Sequence, residues 1–472
     1  MSKDDGVGAG RSARSARPAG AGRIAETDGK EELKASLCEA IDHRRDDLLE
    51  IANAILHQPE LGFKEHQTAR LVADQFARLG LPYREGLALT GVKAYLRGSK
   101  PGPTVAVLGE LDAIVVSDHP CADPATGAAH ACGHNGQIAS LIGVAAGLKD
   151  VGAAGRLAGN VVLFAVPAEE CVELEYRRGL RQEGRIEFLG GKPELVRLGE
   201  FDDVDLAMLT HMTSSPGDGK ACLPQTSNGL LVKVVRYLGR AAHAGGGPHQ
   251  GINALYAASL ALSAINAIRE TFRDEDTVRV HPIITKGGEL VNVIPADVRV
   301  ETYVRGKTVA AIEDANRKVD RALKAGALAV GGKVHISTLP GYMPVVAHEA
   351  LAEVYRPNIV RLVGEGEFTE GGHRTGSTDM GDLSCIMPAI HPYTGGATGL
   401  GHGSDYAIAD PDLAILKAAK AMAMTVVDLL WDDAQVARQV LQRSHPQMTK
   451  DEYLTLMRRM AAEIDYDGAA EG

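Results

Sequence analysis

The 472-residue sequence predicts an α/β protein: a mainly parallel sheet in a larger domain, interrupted by an inserted α+β unit. Three observations predict it. Apolar β-rich runs alternate with helical periodicity through the first half, as in a parallel sheet covered on both faces. Near Asn228 the order changes to strand–helix–strand–strand–helix–strand, and beyond about residue 345 glycine-rich turns, a strand and helices return. The chain is also longer than one core comfortably fills. The expected division is a tail over 1–30, a larger domain made of 31–227 and 345–472, and an inserted domain over 228–344.

The tail is rich in Gly, Ala and Arg and lacks the apolar core of a signal peptide, so it reads as disordered. EELKASLCEAIDHRRDDLLEIANAILHQ has apolar residues at three- and four-residue spacing, an amphipathic helix interrupted by Pro59 and Gly62. KEHQTARLVADQFARLG is a second helix, stopped by Gly80. VKAYLRG and TVAVLGELDA are short strands separated by SKPGP turn chemistry. GQIASLIGVAAGLKD is a small-residue helix, and NVVLFAVPAEE and VDLAMLTHM are buried strands. In the insert, GLLVKVVRYLGR is a strand and GINALYAASLALSAINAIRETF a helix. VRVHPIITKG and ADVRVETYVRG are strands, TVAAIEDANRKVDRALKAGALAVG is a helix, and KVHISTL closes the unit. That βαββαβ order is the ferredoxin-like, split βαβ sandwich. A strand around IMPAIHPYTGG and the helix PDLAILKAAKAMAMTVVDLLW complete the larger domain.

Composition excludes whole classes of function. Hydrophobic content of 45% with 24% charged residues is that of a globular chain, neither disordered nor fibrous. A net charge of −11 opposes binding to polyanions, and 4% aromatic residues offer few stacking platforms, so no nucleic-acid partner is expected. No run approaches the roughly 20 apolar residues of a membrane span. Six cysteines spread over this length form no disulfide framework, and a cytoplasmic protein without a membrane partner is expected.

The densest chemistry is HACGHNGQ, just before a helix, where Cys132 and His134 face one point from a turn. Thiolate plus imidazole is a transition-metal pair, although a buried Cys and a His near a helix start are each commonly structural. AVPAEE ends a very apolar strand with Glu169 and Glu170, an expensive pair that a nearby cation or a raised pKa would relieve. Adjacent side chains on a strand point to opposite faces, so one binds metal while the other reaches a reacting water. His211 ends LAMLTHM, and His402 lies in GLGHGSDY. Together Cys132, His134, Glu170, His211 and His402 supply N, O and S donors for two metal ions at the sheet edge where α/β proteins bind ligands. His243 and His249 in GRAAHAGGGPHQGINA, Asn292 in VNVIPADV, and Asp379 and Asp382 in GGHRTGSTDMGDLS are further polar positions. Turn and cap chemistry also accounts for them. No H-E-x-x-H, G-x-S-x-G, Walker loop or post-strand G-x-G-x-x-G competes.

PELGFKEHQTA, TGVKAYLRG, GELDA, HACGHNGQ, PAEE, HAGGGPHQGINAL and NVIPADV occur in the order found in a known family. The chain resembles the dinuclear-metal amidohydrolase branch of the aminoacylase/carboxypeptidase metallopeptidases, which includes hippurate hydrolases and indole-acetyl-amino-acid hydrolases. LGGKPELVRLGEFDDVDLAMLTHM and GSTDMGDLS look most like the aminobenzoyl-glutamate utilisation protein B subgroup. The resemblance implies metal ligation by Cys132, His134, Glu170, His211 and His402, with Glu169 as general base. It also implies that His243 reaches a partner subunit's active site, that Asn292 binds substrate, and that the insert is a lid and dimerisation domain of a homodimer. Asn135 stands where family members commonly carry Asp.

The expected reaction is hydrolysis of an amide bond in an N-acyl or N-aroyl amino acid or dipeptide-like small molecule, with two divalent ions, Mn or Zn, activating water. Glu169 would take the proton and return it to the leaving amine, and His243 would stabilise the oxyanion. Hinges near Asn228 and Pro344 would let the lid close. Two alternatives stand beside it: hydrolytic deamination of an aromatic amine on the same site, and a non-catalytic subunit of a heteromeric hydrolase.

Overall fold

The computed structural model describes residues 21–470, with side chains described from residue 29. Residues 1–20 of the expected tail lie outside that range. Residues 21–30 differ from the expectation, because they begin the helix Ala21–His43. The single long helix expected next is broken at Arg44 and resumes as Arg45–Leu56.

Strand order in the main sheet is Tyr83–Leu87, Gly91–Arg97, Ala158–Val166, Lys100–Glu110, Leu206–Met208 and Ala389–Ile390. The last four run parallel, and the first two form an antiparallel hairpin at one edge. The central strands are apolar on both faces because both faces are covered. Val105, Val107, Val161 and Leu163 point into one core, and Ala106, Leu108, Val162 and Phe164 into the other. The helix His134–Asp150 lies in the first core and is buried from His134 through Leu148, which its small residues permit.

The inserted unit has the expected strand and helix order. Its antiparallel sheet runs Arg279–Val280, Asp297–Gly306, Gly229–Leu238, Lys333–Tyr342. The expected strand VRVHPIITKG is interrupted at His281 and Pro282, leaving Arg279–Val280 and Ile283–Lys286 as separate pieces. Asp297–Gly306 alternates half-buried and buried residues, and Val298, Val300 and Val304 meet the helices Ala254–Ala267 and Val309–Val330.

One boundary differs. Ala462–Asp467, expected with the larger domain, joins the inserted sheet alongside Lys333–Tyr342 and makes it six-stranded, since Ile283–Lys286 also pairs with Asp297–Gly306. Its alternation places Ile464 and Tyr466 against the insert's core, while Asp467 and Asp465 pair with Lys333 and His335. An edge that would otherwise expose unpaired backbone is thereby covered. A small five-stranded mixed sheet, not expected from the sequence, gathers Ala221–Ser227, Val345–Val346, Phe368–Arg374, His211–Met212 and Tyr393–Thr394 beside the carboxyl end of the main sheet. No helix among the described residues is long and apolar enough to cross a membrane.

Candidate active site

Each donor reaches the site from the end of a rigid element. The Cys132–Gly133–His134 turn leads into the buried helix. Gly133 has φ +90°, and a side chain there would strike the Tyr406 hydroxyl and the Met212 sulfur, so glycine alone fits between the two donors. Glu169 and Glu170 follow the strand Ala158–Val166, and His211 opens a short strand paired with Tyr393–Thr394. His402 lies on a turn at φ +63°, half-exposed at the mouth.

These side chains converge as two triads sharing one atom. Cys132, His134 and His211 can place one donor each within 4.8 Å of one another, and so can Cys132, Glu170 and His402. Cys132 Sγ lies 3.3 Å from His211 Nε2. The imidazole orientations are set by the backbone. His134 Nδ1 is 2.8 Å from the Asp112 carbonyl and His211 Nδ1 is 2.7 Å from the Met212 carbonyl, which leaves each Nε2 as a lone-pair donor toward the site. His134 Nε2, Glu170 Oε1 and Asp112 Oδ1 are buried without a hydrogen-bond partner. Buried polar atoms are ordinarily paired, and a soft thiolate with imidazole and carboxylate is a donor set suited to transition-metal ions. The residues therefore fit a pair of divalent cations.

The electrostatics separate the two adjacent glutamates. Burial opposes the Glu170 anion, but His402 Nε2, 3.3 Å away, outweighs it and holds the carboxyl at about 2. Glu170 in turn lifts His402 to about 11. For Glu169, burial and then the charges of Glu110 and Glu170 push the carboxyl well above the usual range. One neighbour is thus held as an anion and the other favours a proton, the contrast that separates a ligand from an acid–base group. Burial raises the Cys132 thiol and Glu170 adds to it, yet His211 and His134 bring it down to about 6, toward the thiolate that metals bind.

A cavity of about 670 Å³ opens over these groups. Cys132, Glu169, Glu170 and His211 line it, with His402 at the mouth, and Tyr303, Arg305 and Tyr342 of the inserted sheet line it as well. Arg305 has no ion-pair partner among the described residues, whereas Arg374 beside it is held by Asp218 at 2.7 Å and stacked 3.9 Å over Tyr393.

His243 and Asn292 are not in this cavity. Their segments pair at an exposed tip of the insert, where Ala244 N–H donates to the Asn292 carbonyl at 2.9 Å and His243 bridges to Val293. Leu290 and Val291 beside them are strongly exposed. His249 is likewise exposed, and Asp379 and Asp382 are buried behind the site.

A sequence model of peptidase family M20/M25/M40 matches residues 106–428, well over half of the chain and every donor named above. The chain belongs to this family. Within it, the chain is 30% identical over 430 residues to the Xaa-Arg dipeptidase of Mus musculus, covering 85% of this chain and 90% of that one. Its fold is that of an aminobenzoyl-glutamate utilization protein from Klebsiella pneumoniae, with a TM-score of 0.63 at 20% identity over 84% of this chain and 99% of that one. It is also that of a dinuclear metal-binding M20 peptidase of Bacillus subtilis, with a TM-score of 0.59 at 20% identity over 82% and 99% of the two chains. The chain is a metal-dependent hydrolase of the M20 family, as the order of its motifs implied.

Several site residues of this M20 hydrolase were not singled out from the sequence. Glu110 and Asp112 end the strand Lys100–Glu110 and its exit, and Glu110 Oε2 is 3.1 Å from His134 Nε2. A signal existed in GELDA, two acids at strand spacing after an apolar run. Lys192 carried none. In GGKPELV it looks like an exposed helix-start lysine, yet it is fully buried, with Nζ 2.6 Å from Glu110 Oε1 and paired with Asp379 Oδ1. His391, buried 5.7 Å from His211, and Arg305 also depend on long-range packing for their place.

Proposed function

We propose that the chain hydrolyses the amide bond of a small N-acyl or N-aroyl amino acid or dipeptide carrying a free carboxylate. The observation that carries the reading is the pair of donor triads sharing Cys132, with a proton-favouring Glu169 beside them and, in the cavity lining, Arg305, which has no ion-pair partner among the described residues. Two divalent cations, Mn or Zn, would supply Lewis acidity there when bound and would lower the pKa of water toward neutrality. Cys132, His134 and His211 would hold one cation, and Cys132, Glu170 and His402 the other. Glu169 accepts the proton of the attacking water and delivers it to the departing amine, which a carboxyl of raised affinity for protons does well. Arg305 offers a planar, bidentate guanidinium to a substrate carboxylate. An Xaa-Arg dipeptidase among the relatives agrees with an amide between amino-acid-like halves.

The exposed tip bearing His243 and Asn292 suits completion of a second subunit's cavity, and a homodimer with shared sites belongs to this reading. The apolar exposure of Leu290 and Val291 supports it.

The test is metal depletion followed by reconstitution with Mn or Zn, assayed on N-acyl amino acids, dipeptides and aryl amides. Turnover should vanish on depletion and return with metal. Cys132→Ala should fail to regain metal, while Cys38→Ala, in the helix Ala21–His43, should regain it fully. Turnover by metal-free protein would overturn the reading, and ammonia release from an aryl amine without amide cleavage would replace it with deamination.

A further inference from the structure

The turn that carries the two glutamates is gripped from two domains at once. Its carbonyls alternate in direction. Those of Ala168 and Glu170 accept from the buried guanidinium of Arg177, which also donates to the Leu189 carbonyl at 2.5 Å. Those of Glu169 and Cys171 accept from the hydroxyls of Tyr342 and Tyr303, which stand on two strands of the inserted sheet. The amides are held as firmly: Ala168 N–H donates to Glu65 at 2.8 Å, and Glu170 N–H to Asp112 at 2.8 Å. Ala168 sits at φ +54°, a conformation that a non-glycine residue keeps only where its surroundings impose it.

The inserted sheet is also packed against this turn. Leu230, Val232, Val234, Leu339 and Tyr342 form one buried cluster with Cys171, Leu174 and Leu189, and Arg299 pairs with Glu175 at 3.3 Å just beyond. Any rotation of the insert about its connections therefore moves both tyrosine hydroxyls relative to the turn.

We infer that Tyr342 and Tyr303 are positioning residues through which the inserted domain sets the orientation of Glu169. Their rings line the cavity, but their hydroxyls are spent on backbone carbonyls of the turn. Tyr342 fixes the peptide plane between Glu169 and Glu170 and Tyr303 the one that follows Cys171, and together they set the path of the turn from which the Glu169 side chain leaves the backbone. The inference rests on the role proposed for Glu169, but the contact itself does not. With the insert seated, Glu169 is aimed; with the hydroxyls withdrawn, the strained turn relaxes.

Tyr342→Phe and Tyr303→Phe remove the hydroxyls and keep the rings that pack the cluster. Hydrogen–deuterium exchange over residues 168–173 should speed up in each variant of the metal-loaded protein, with the global melting temperature within a few degrees of wild type. On whichever substrate the wild type turns over, kcat should fall about ten- to a hundredfold, with KM and metal content within twofold. A role confined to packing would move neither the local exchange nor kcat. Unchanged exchange in both variants, or unchanged kcat in both, overturns the inference. Should the wild type hydrolyse none of the amides tested, the proposed function fails, and the exchange measurement still decides whether the hydroxyls hold the turn.

Discussion

Two layers of charge meet at the carboxyl end of the main sheet, and they differ in how completely their polar atoms are paired. In the layer facing the cavity, His134 Nε2 and Glu170 Oε1 are buried without a hydrogen bond and have only ionic neighbours, Glu110 at 3.1 Å and His402 at 3.3 Å. Behind it, Glu110 accepts from Lys192 at 2.6 Å and Gln137 at 2.9 Å, and both oxygens of Asp379 are taken by the Lys192 ammonium and backbone N–H. Natural proteins leave few buried polar atoms unpaired, so donors without hydrogen bonds backed by the paired Lys192, Glu110 and Asp379 cluster mark where a ligand belongs and what holds its frame. In the proposed reaction the front layer does the chemistry, and the back layer keeps it in register.

The sharpest way to break that contrast is within the front layer. Glu169→Gln should retain bound metal and KM while kcat falls by about 10²–10⁴, the range for loss of a general base. Glu170→Gln should instead lose metal, because its anion is the one held at about 2. Metal analysis alongside steady-state kinetics separates the two, and a Glu169→Gln protein that loses metal would exchange their roles.

The back layer should fail differently, in stability. Lys192→Met leaves Glu110 and Asp379 buried without their shared cation, and should destabilise the fold by about 3–5 kcal/mol, the typical cost of breaking a buried ion pair from one side. Adding Glu110→Gln should recover part of that loss. Denaturant titration of the metal-depleted proteins is the measurement. A loss below about 1 kcal/mol in the single variant would mean that water already screens the pair.

The same contrast explains what could be read in advance. The front layer was legible because Cys132, His134, Glu170 and His211 lie at or within four residues of a strand or helix terminus, so HACGHNGQ, PAEE and LTHM announce themselves locally. The parallel sheet and the βαββαβ order were legible for the same reason, as short-range periodicity. The back layer was not. Lys192 and Asp379 are 187 residues apart and meet only once the fold is made. Ala462–Asp467 is a short charged alternation whose partner strand lies more than 100 residues earlier, and the small mixed sheet is built from pieces of two to seven residues scattered from 211 to 394. Signals of that length carry no periodicity to read.

The mildest test concerns Glu65, which lies behind both layers at the start of the helix His66–Arg78. Its carboxylate accepts from Ala168 N–H at 2.8 Å and Thr90 Oγ1 at 2.6 Å, so it ties that helix to the glutamate turn. Burial, followed by the charge of Asp112, pushes it up to about 7 from an ordinary 4.5. A carboxyl whose folded pKa exceeds its unfolded value binds a proton more tightly when folded. Its contribution is fully present below about 4.5 and is lost as pH rises through about 7. Glu65→Gln keeps the shape and an acceptor for Ala168 but cannot ionise. Relative to wild type, the metal-depleted variant should therefore gain stability between pH 5 and pH 8, by on the order of 1–3 kcal/mol. The comparison needs denaturant unfolding of both proteins at each pH, so that groups remote from Glu65 cancel in the difference and what remains is Glu65 with the Asp112 charge beside it. A difference that stays flat across that interval would show Glu65 charged throughout, and would move it from the uncharged support behind the site into the saturated ionic layer with Glu110.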